Sequence, residues 1–401
     1  MTKWWVLFCL YLTQGLPHGF FSQALPALLR EQGASLEKIG LMSLVGLPWL
    51  LKFLWAPALD HYRPLPKLMA GVHLRKRWIA LANLAALVGL FLIGLETLDF
   101  WLENELLLIL ALIVLTFFIV SQDISTDALA VENIQPQQRG LGNSLQVAGY
   151  RLGMVVSGGA LLAAFPLFGW QGVMWIMAGL MFVVLIPLWF WQPAEPQTSP
   201  ALTKKDWLVF FQQPHWLAWL LLLLVYKVGD AFGTAMIRPH FIDLGMSLAD
   251  FAELLGVWGT IAGLIGAVLG GLLLTRLSRF QGLFIFLLLE GVALSSYALI
   301  QELDWTLIYA LVAFEHIAGG MATVALFTVM MDRCKESSAA SDYAIQSSFI
   351  IMATMLATGL SGFSASALGY QWHYLLAAGL CVLGLVVLMF NRYQLKETSA
   401  S

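Results

Sequence analysis

Apolar runs of about 20 residues, each closed by a short polar turn, recur along the whole chain. At a rise of about 1.5 Å per residue, a run of that length crosses a hydrocarbon core about 30 Å thick, so each one predicts a membrane-spanning helix. The pattern predicts twelve, near residues 4–29, 38–57, 78–98, 105–126, 141–165, 170–192, 216–241, 251–275, 281–300, 305–331, 343–367 and 371–391. The first run, Trp4–Leu29, is too long for the core of a signal peptide and reads as a retained span. An even count places both termini on one side.

Polar residues inside the runs break the pattern most sharply at Tyr226-Lys227-Val228-Gly229-Asp230-Ala231-Phe232-Gly233. Counted from Trp216, Lys227 lies roughly 16 Å into the core, and Asp230 follows one turn later on the same helix face. A charge at that depth costs about 2.5–3.5 kcal/mol on insertion scales, so the pair is either functional or a self-satisfied packing device. By the same count Arg151 in span five and Glu315 in span ten lie about 15 Å deep, level with Lys227 and Asp230. His316 follows Glu315 but points about 100° away, so at most one of the two faces squarely into a cavity. Four ionisable groups at one depth suit a central site at the midplane. The alternative is buried pairs, such as Arg151 with Glu315, that only hold helices together.

Composition agrees with an integral membrane protein: of 401 residues 60% are hydrophobic and 11% charged, with mean hydropathy +0.80. The net charge of −3 says less than where the charges fall. Fifteen of the 21 lysines and arginines belong to one set of loops, whereas the opposite set holds two, Arg30 and Lys38. The other four, Lys52, Arg151, Lys227 and Arg238, lie within spans. The positive-inside rule makes the basic face, and both termini, cytoplasmic. Cys9, Cys334 and Cys381 match no metal or redox spacing, so no cofactor or metal is expected. No phosphate-binding Gly-x-x-x-x-Gly-Lys-Ser/Thr, His-Glu-x-x-His or Gly-x-Ser-x-Gly stretch occurs, which argues against ATP hydrolysis and against the commonest protease and hydrolase chemistries. The chain reads as a non-enzyme that needs no ATPase subunit and binds no nucleic acid.

A proline-punctuated stretch, 193–215, separates a first half, 1–192, from a second, 216–401, and has the composition of a cytoplasmic linker. The halves echo each other weakly. Gly33-Ala34-Ser35-Leu36 matches Gly245-Met246-Ser247-Leu248, and Asn143-Ser144-Leu145-Gln146 matches Tyr343-Ala344-Ile345-Gln346. Two similar six-helix halves are the signature of the major facilitator architecture, with its binding cavity at the midplane.

The candidate residues fall into three sets. Arg151 and Lys227 are cations suited to an anionic substrate, and Gln14, His18, Gln146 and Tyr150 on spans one and five complete the expected substrate contacts. Asp230, Glu315 and His316 are the proton-coupling candidates, since a carboxylate that burial and a neighbouring cation pull in opposite directions can take up and release a proton. Lys52, Asp60, Asp123 and Asp127, near the basic face with the run Arg75-Lys76-Arg77, are either an inner gate or a solvated rim. Glycine pairs four apart, among them Gly15/Gly19, Gly149/Gly153, Gly229/Gly233 and Gly266/Gly270, predict close helix crossings.

Five motifs carry a resemblance. Lys52-Phe53-Leu54-Trp55-Ala56-Pro57 with Asp60, Ser121-Gln122-Asp123-Ile124, Tyr150-Arg151-Leu152-Gly153-Met154, Tyr226-Lys227-Val228-Gly229-Asp230, and Phe314-Glu315-His316 with Gly319-Gly320-Met321 together resemble the AmpG-type branch of the major facilitator superfamily. That branch includes anhydromuropeptide permeases, single-protein importers of ferric siderophores and acetyl-coenzyme A carriers. The general facilitator motif after span two, Gly-x-x-x-Asp-Arg-x-Gly-Arg-Arg, is reduced here to Asp60-His61-Tyr62-Arg63. The compact length is similar to the siderophore importers, and the aromatic-rich first half (Trp4, Trp5, Phe20, Phe21, Trp49, Trp55) offers faces on which an aromatic ligand can stack. The resemblance therefore implies a proton-coupled importer of a ferric siderophore in a bacterial inner membrane, with anhydromuropeptide as the alternative cargo.

Overall fold

The computed structural model describes residues 2–31, 41–65, 67–69, 71–193, 210–247, 250, 252–302 and 304–392, and among them every regular element is helical. Eight stretches are long and apolar enough to cross a membrane, and two of them, Pro136–Trp189 and Glu336–Phe390, are long enough to cross twice. Each of the two turns back at a glycine, Gly169 (φ 62°, ψ −173°) or Gly369 (φ 78°, ψ 163°). That backbone region is open to glycine almost alone, so the residue type fixes where each hairpin bends. With the helical run from Lys3 to Glu31 and the broken segment 42–61, twelve crossings are accounted for, and the chain is an all-α membrane protein as expected.

In chain order the α-helices are α1 (Lys3–Gly19), α2 (Leu25–Glu31), α3 (Leu47–Leu51), α4 (Ala56–His61), α5 (Leu74–Ile93), α6 (Leu98–Glu103), α7 (Glu105–Asn133), α8 (Arg139–Val155), α9 (Leu161–Trp189), α10 (Trp216–Tyr226), α11 (Val228–Thr234), α12 (Ile237–Asp243), α13 (Thr260–Leu273), α14 (Arg279–Ser296), α15 (Trp305–Asp332) and α16 (Ala339–Phe390). They form two compact units. Unit one holds residues 1–134, 148–207 and 334–345; unit two holds 135–147, 208–333 and 346–401. The first turns of α8 thus count with unit two, and those of α16 with unit one. The linker expected over 193–215 lies mostly in 194–209, outside the described residues, as does Gly33-Ala34-Ser35-Leu36.

Three spans are less regular than the apolar pattern predicts. Span one passes through a π turn at Phe20–Ala24, between Pro17 and Pro26. Span two alternates 3-10 turns (Met42–Gly46, Lys52–Leu54) with the short helices α3 and α4, each of which has a proline in its first two positions. Proline has no N–H to give the preceding turn, so a continuous i→i−4 ladder is lost at both. Span seven breaks at Lys227 (φ −103°, ψ 3°) and again between Thr234 and Ile237, dividing into α10, α11 and α12.

Each unit has its own apolar core. In unit one Leu16, Phe20, Trp101, Trp170 and Met174 pack together. In unit two Phe241, Tyr297 and Tyr374 do so. Glycines set the closest crossings: a Cβ on Gly15 would strike the backbone at Tyr150, and one on Gly153 the backbone at Leu12. In unit two Gly266 and Gly270 abut Ile317 and Met321, while Gly229 and Gly233 abut Ala377. These contacts bring backbones together where lipid supplies no hydrophobic drive.

Candidate functional site

The break in span seven puts Lys227 between two short helices, with its ammonium reaching two carboxylates at once. Nζ lies 2.6 Å from Oδ2 of Asp230 and 2.6 Å from Oε1 of Glu290 on α14. The pairing of Lys227 with Asp230 follows from their spacing. Glu290 was missing from the candidates above, yet it lies eleven residues past Arg279, roughly 16 Å along its helix, and the depth count applied to Lys227 would have found it.

A third carboxylate joins from α15. A Cβ placed on Gly319 would lie 3.4 Å from Oε1 of Glu290, 3.7 Å from Oε1 of Glu315 and 3.8 Å from Oδ1 of Asp230. Oxygens of all three acids therefore converge on the face of α15 that Gly319 leaves bare. Glu315 and His316 do not diverge as helix geometry alone suggests: Nδ1 of His316 lies 2.6 Å from Oε2 of Glu315 and 3.0 Å from the carbonyl of Val312. The flexible glutamate stem bends back along its own helix to meet the ring. Glu315 thus has His316 as a neighbour, and Arg151 belongs to unit one. Tyr226, just before the break, donates to the carbonyl of Leu283 at 3.0 Å and ties α10 to α14. The cluster sets one lysine and one histidine against three carboxylates.

Gln146 also belongs to unit two and is buried. The other substrate candidates lie in unit one. Gln14 is buried, with no hydrogen-bond partner for its Nε2 among the described residues. His18 packs against Tyr150 with ring centroids 5.5 Å apart, and Arg151 is half-buried.

The four gate candidates do not form one group. Lys52 pairs with Asp123 at 2.9 Å, and Asp127, one turn further along α7, accepts a hydrogen bond from Tyr11 at 3.2 Å. Asp60 stands in a separate cluster. Its Oδ1 accepts from Nη2 of Arg75 at 2.8 Å and from the backbone N–H of Ala340 at 3.0 Å; its Oδ2 accepts from the N–H and the hydroxyl of Ser341, at 2.9 and 2.5 Å. Arg75 also donates to Glu132 at 2.7 Å. Asp60 thereby caps the first turn of α16, where unsatisfied N–H groups and the helix dipole favour an anion. Position 61, where the general facilitator motif has arginine, is histidine, and the guanidinium beside Asp60 comes from Arg75 instead. Arg75, Lys76 and Arg77 are all buried, which sets aside the solvated-rim reading for this run.

The profile of the Major Facilitator Superfamily matches residues 6–303 and 229–401 in two overlapping segments. The chain is 33% identical over 408 aligned positions to the anhydromuropeptide permease of Escherichia coli (strain K12), covering 98% of this chain and 80% of that protein. It is 25% identical to "Putative transporter AmpG 4" of Rickettsia conorii, across 96% of this chain and 95% of the relative. Among solved structures it is similar to the Escherichia coli fucose:proton symporter FucP (TM-score 0.70, 13% identity, 96% and 98% of the two chains) and to the human organic anion transporter MFSD10 (0.70, 14%, 96% and 98%), likenesses that concern the fold. These relatives favour the second of the two expected cargoes, and siderophore import finds no support in them. The Escherichia coli permease is the longer protein, as the match to 80% of it shows, whereas the Rickettsia relative is matched almost end to end. The chain is a multi-pass membrane transporter of the major facilitator superfamily and belongs to its AmpG-type branch.

Proposed function

We propose that the protein imports anhydromuropeptides across a bacterial inner membrane, driven by protons, with its basic face and both termini in the cytoplasm. The cargo rests on one observation, the 33% identity to the Escherichia coli permease over nearly the whole chain. The coupling rests on charge counting. Lys227 faces Asp230 and Glu290 directly, and Glu315 closes the group beside His316. With every carboxylate ionised and the histidine neutral, the cluster would carry two uncompensated negative charges at membrane depth, an arrangement too costly to persist without bound protons. Taking up one or two protons from outside and losing them inside would therefore belong to the transport cycle, with the Lys227 ammonium free to move between the two acids it touches.

Inverted membrane vesicles confuse direction, so the test uses proteoliposomes of known orientation. A labelled disaccharide anhydromuropeptide should accumulate when the exterior is more acidic than the lumen, and a protonophore should abolish the accumulation. Asp230→Asn should stop gradient-driven uptake while leaving the protein assembled and cargo binding detectable. Accumulation of a ferric siderophore in place of the muropeptide would refute the cargo, and full gradient-driven uptake by Asp230→Asn would remove Asp230 from the proton path.

A further inference from the structure

Unit one contains a cavity of about 320 Å³, near the lower end of the range of about 300–1,000 Å³ usual for small-molecule sites. Its walls include His18, Phe21, Ser22, Ser43, Trp49 and Thr116. The chemistry of this lining is narrow. Among the described residues that line it none is a carboxylate, lysine or arginine, and the Lys52 ammonium, 5.6 Å from the Trp49 ring centroid, is already paired with Asp123, so an anion or a metal chelate would find no spare counter-charge among them. What it offers is the rings of His18, Phe21 and Trp49 and three neutral hydroxyls, set among proline and aliphatic side chains such as Met42, Val45 and Ile119. Trp49 meets His18 edge-on at 5.9 Å, and Ser22, Ser43 and Thr116 bring donor-acceptor groups.

The backbone gives a second, independent sign. Phe21 and Ser22 belong to the π turn Phe20–Ala24, and Met42, Ser43, Val45 and Gly46 to the 3-10 turn Met42–Gly46. Both walls are thus irregular at membrane depth, where non-helical backbone is tolerated only against protein or around a polar cavity, and π turns inside helices concentrate at functional sites. The hydroxyl of Ser22 is already engaged as a donor, to the carbonyl of His18 at 2.6 Å, and so presents its lone pairs as acceptors.

A lining of aromatic faces and uncharged hydroxyls matches a ligand that is apolar on its ring faces, polar around its edge and uncharged. We propose that this cavity holds an N-acetylated sugar ring of the cargo, stacked on Trp49, with its hydroxyl and acetamido groups bonded to Ser22, Ser43 and Thr116. The assignment rests on the muropeptide reading for its ligand. It divides the labour between the units: unit one recognises the sugar, and unit two carries the charge.

The test is direct binding to the purified full-length protein in lipid nanodiscs. The probe is the peptide-free disaccharide of N-acetylglucosamine and 1,6-anhydro-N-acetylmuramic acid, with free stem peptide as the comparison. Calorimetry should show disaccharide binding that Trp49→Ala weakens about tenfold, the scale of one lost stacking contact, and that Trp49→Phe largely restores. Gly46 lines the cavity with an ordinary helical backbone (φ −78°), and a Cβ there meets nothing within 4 Å, so a side chain can start from it without backbone strain, and Gly46→Trp should fill the cavity and abolish disaccharide binding. Alkylation of Ser43→Cys by a maleimide reads the same occupancy without any bulky change, and the disaccharide should slow it. Absence of disaccharide binding, or binding untouched by Gly46→Trp and giving Ser43→Cys no protection, overturns the proposal. Should the disaccharide bind here while proteoliposomes import no muropeptide, the cavity stands and the cargo falls. Should muropeptide be imported while the disaccharide neither binds nor competes, the cargo stands and the cavity falls.

Discussion

Lys52 in unit one and Lys227 in unit two invite comparison. Both sit where a span leaves α-helical geometry, and both are paired with acids at membrane depth. Lys52 meets one carboxylate, and the side chains of the pair are 3% and 7% exposed. Lys227 meets two: its own side chain is 11% exposed, that of Asp230 is 21% exposed, and that of Glu290 is wholly buried. The first pair is sealed, and the buried Asp127 carboxylate one turn away is held by Tyr11. The second joins a partly exposed carboxylate to a wholly buried one, through a single ammonium. A sealed pair can only hold helices in register, whereas an accessible and a buried acid on a common cation form a path along which a proton and a charge can exchange places.

Removing one partner of the sealed pair should give the largest effect. Lys52→Met leaves Asp123 as a lone buried charge, at a cost of about 3–5 kcal/mol, and should lower the yield of assembled protein and its unfolding temperature in detergent. Adding Asp123→Leu should restore much of both, because replacing a whole buried pair by apolar side chains is near neutral. A single Lys52→Met variant as stable as the parent would break the contrast. Next in size is Glu290→Gln. It removes a negative charge from a cluster that has an excess of them, so assembly should survive, while accumulation against a gradient should fall to the level seen with a protonophore. Downhill exchange of cargo across proteoliposome membranes should continue. Loss of both exchange and accumulation would make Glu290 a binding group and not a coupling group.

The contrast was only half legible in the sequence. Charges within apolar runs announce themselves, so Lys52, Asp123, Lys227, Asp230 and Glu315 stood out, and the spacing of Lys227 and Asp230 was enough to pair them. The twelve crossings followed from run length alone. Partners between helices did not: nothing in the chain order says that Glu290 shares Lys227 with Asp230, or that Tyr11 answers Asp127, because such pairs depend on how helices rotate against each other. Helix breaks were likewise hidden, since hydropathy is blind to whether a span is α, 3-10 or π. The cavity walled by Ser22, Ser43 and Trp49 arises from two such breaks; of its walls His18 was a candidate contact and Phe21 and Trp49 were noted as stacking faces, whereas the hydroxyls were missed.

The same difference recurs at the basic face, where the smallest effects are expected. Arg75 with Glu132 in unit one and Arg279 with Asp332 in unit two are counterparts, the first joining the start of α5 to the end of α7 and the second the start of α14 to the end of α15. Asp60 adds to the first cluster and Arg139 to the second. Side chains of the first cluster are at most 3% exposed, and those of the second are 10–15% exposed. Asp60→Asn keeps the shape but turns an amide toward donors on both of its sides, the N–H of Ala340 with Arg75 on one and Ser341 on the other. Loss of hydrogen bonds to a charged acceptor should cost about 1.5–3 kcal/mol in detergent unfolding. Release of the first turn of α16 should also speed maleimide labelling of the half-buried Cys334, five residues before that helix. Arg139→Gln removes a less deeply buried ion pair and leaves Asp332 paired with Arg279, so it should cost less than Asp60→Asn. Equal losses for the two variants would mean that water, and not the different partners of the two arginines, governs both clusters, and the division into a sealed unit and an open one would fail at this face.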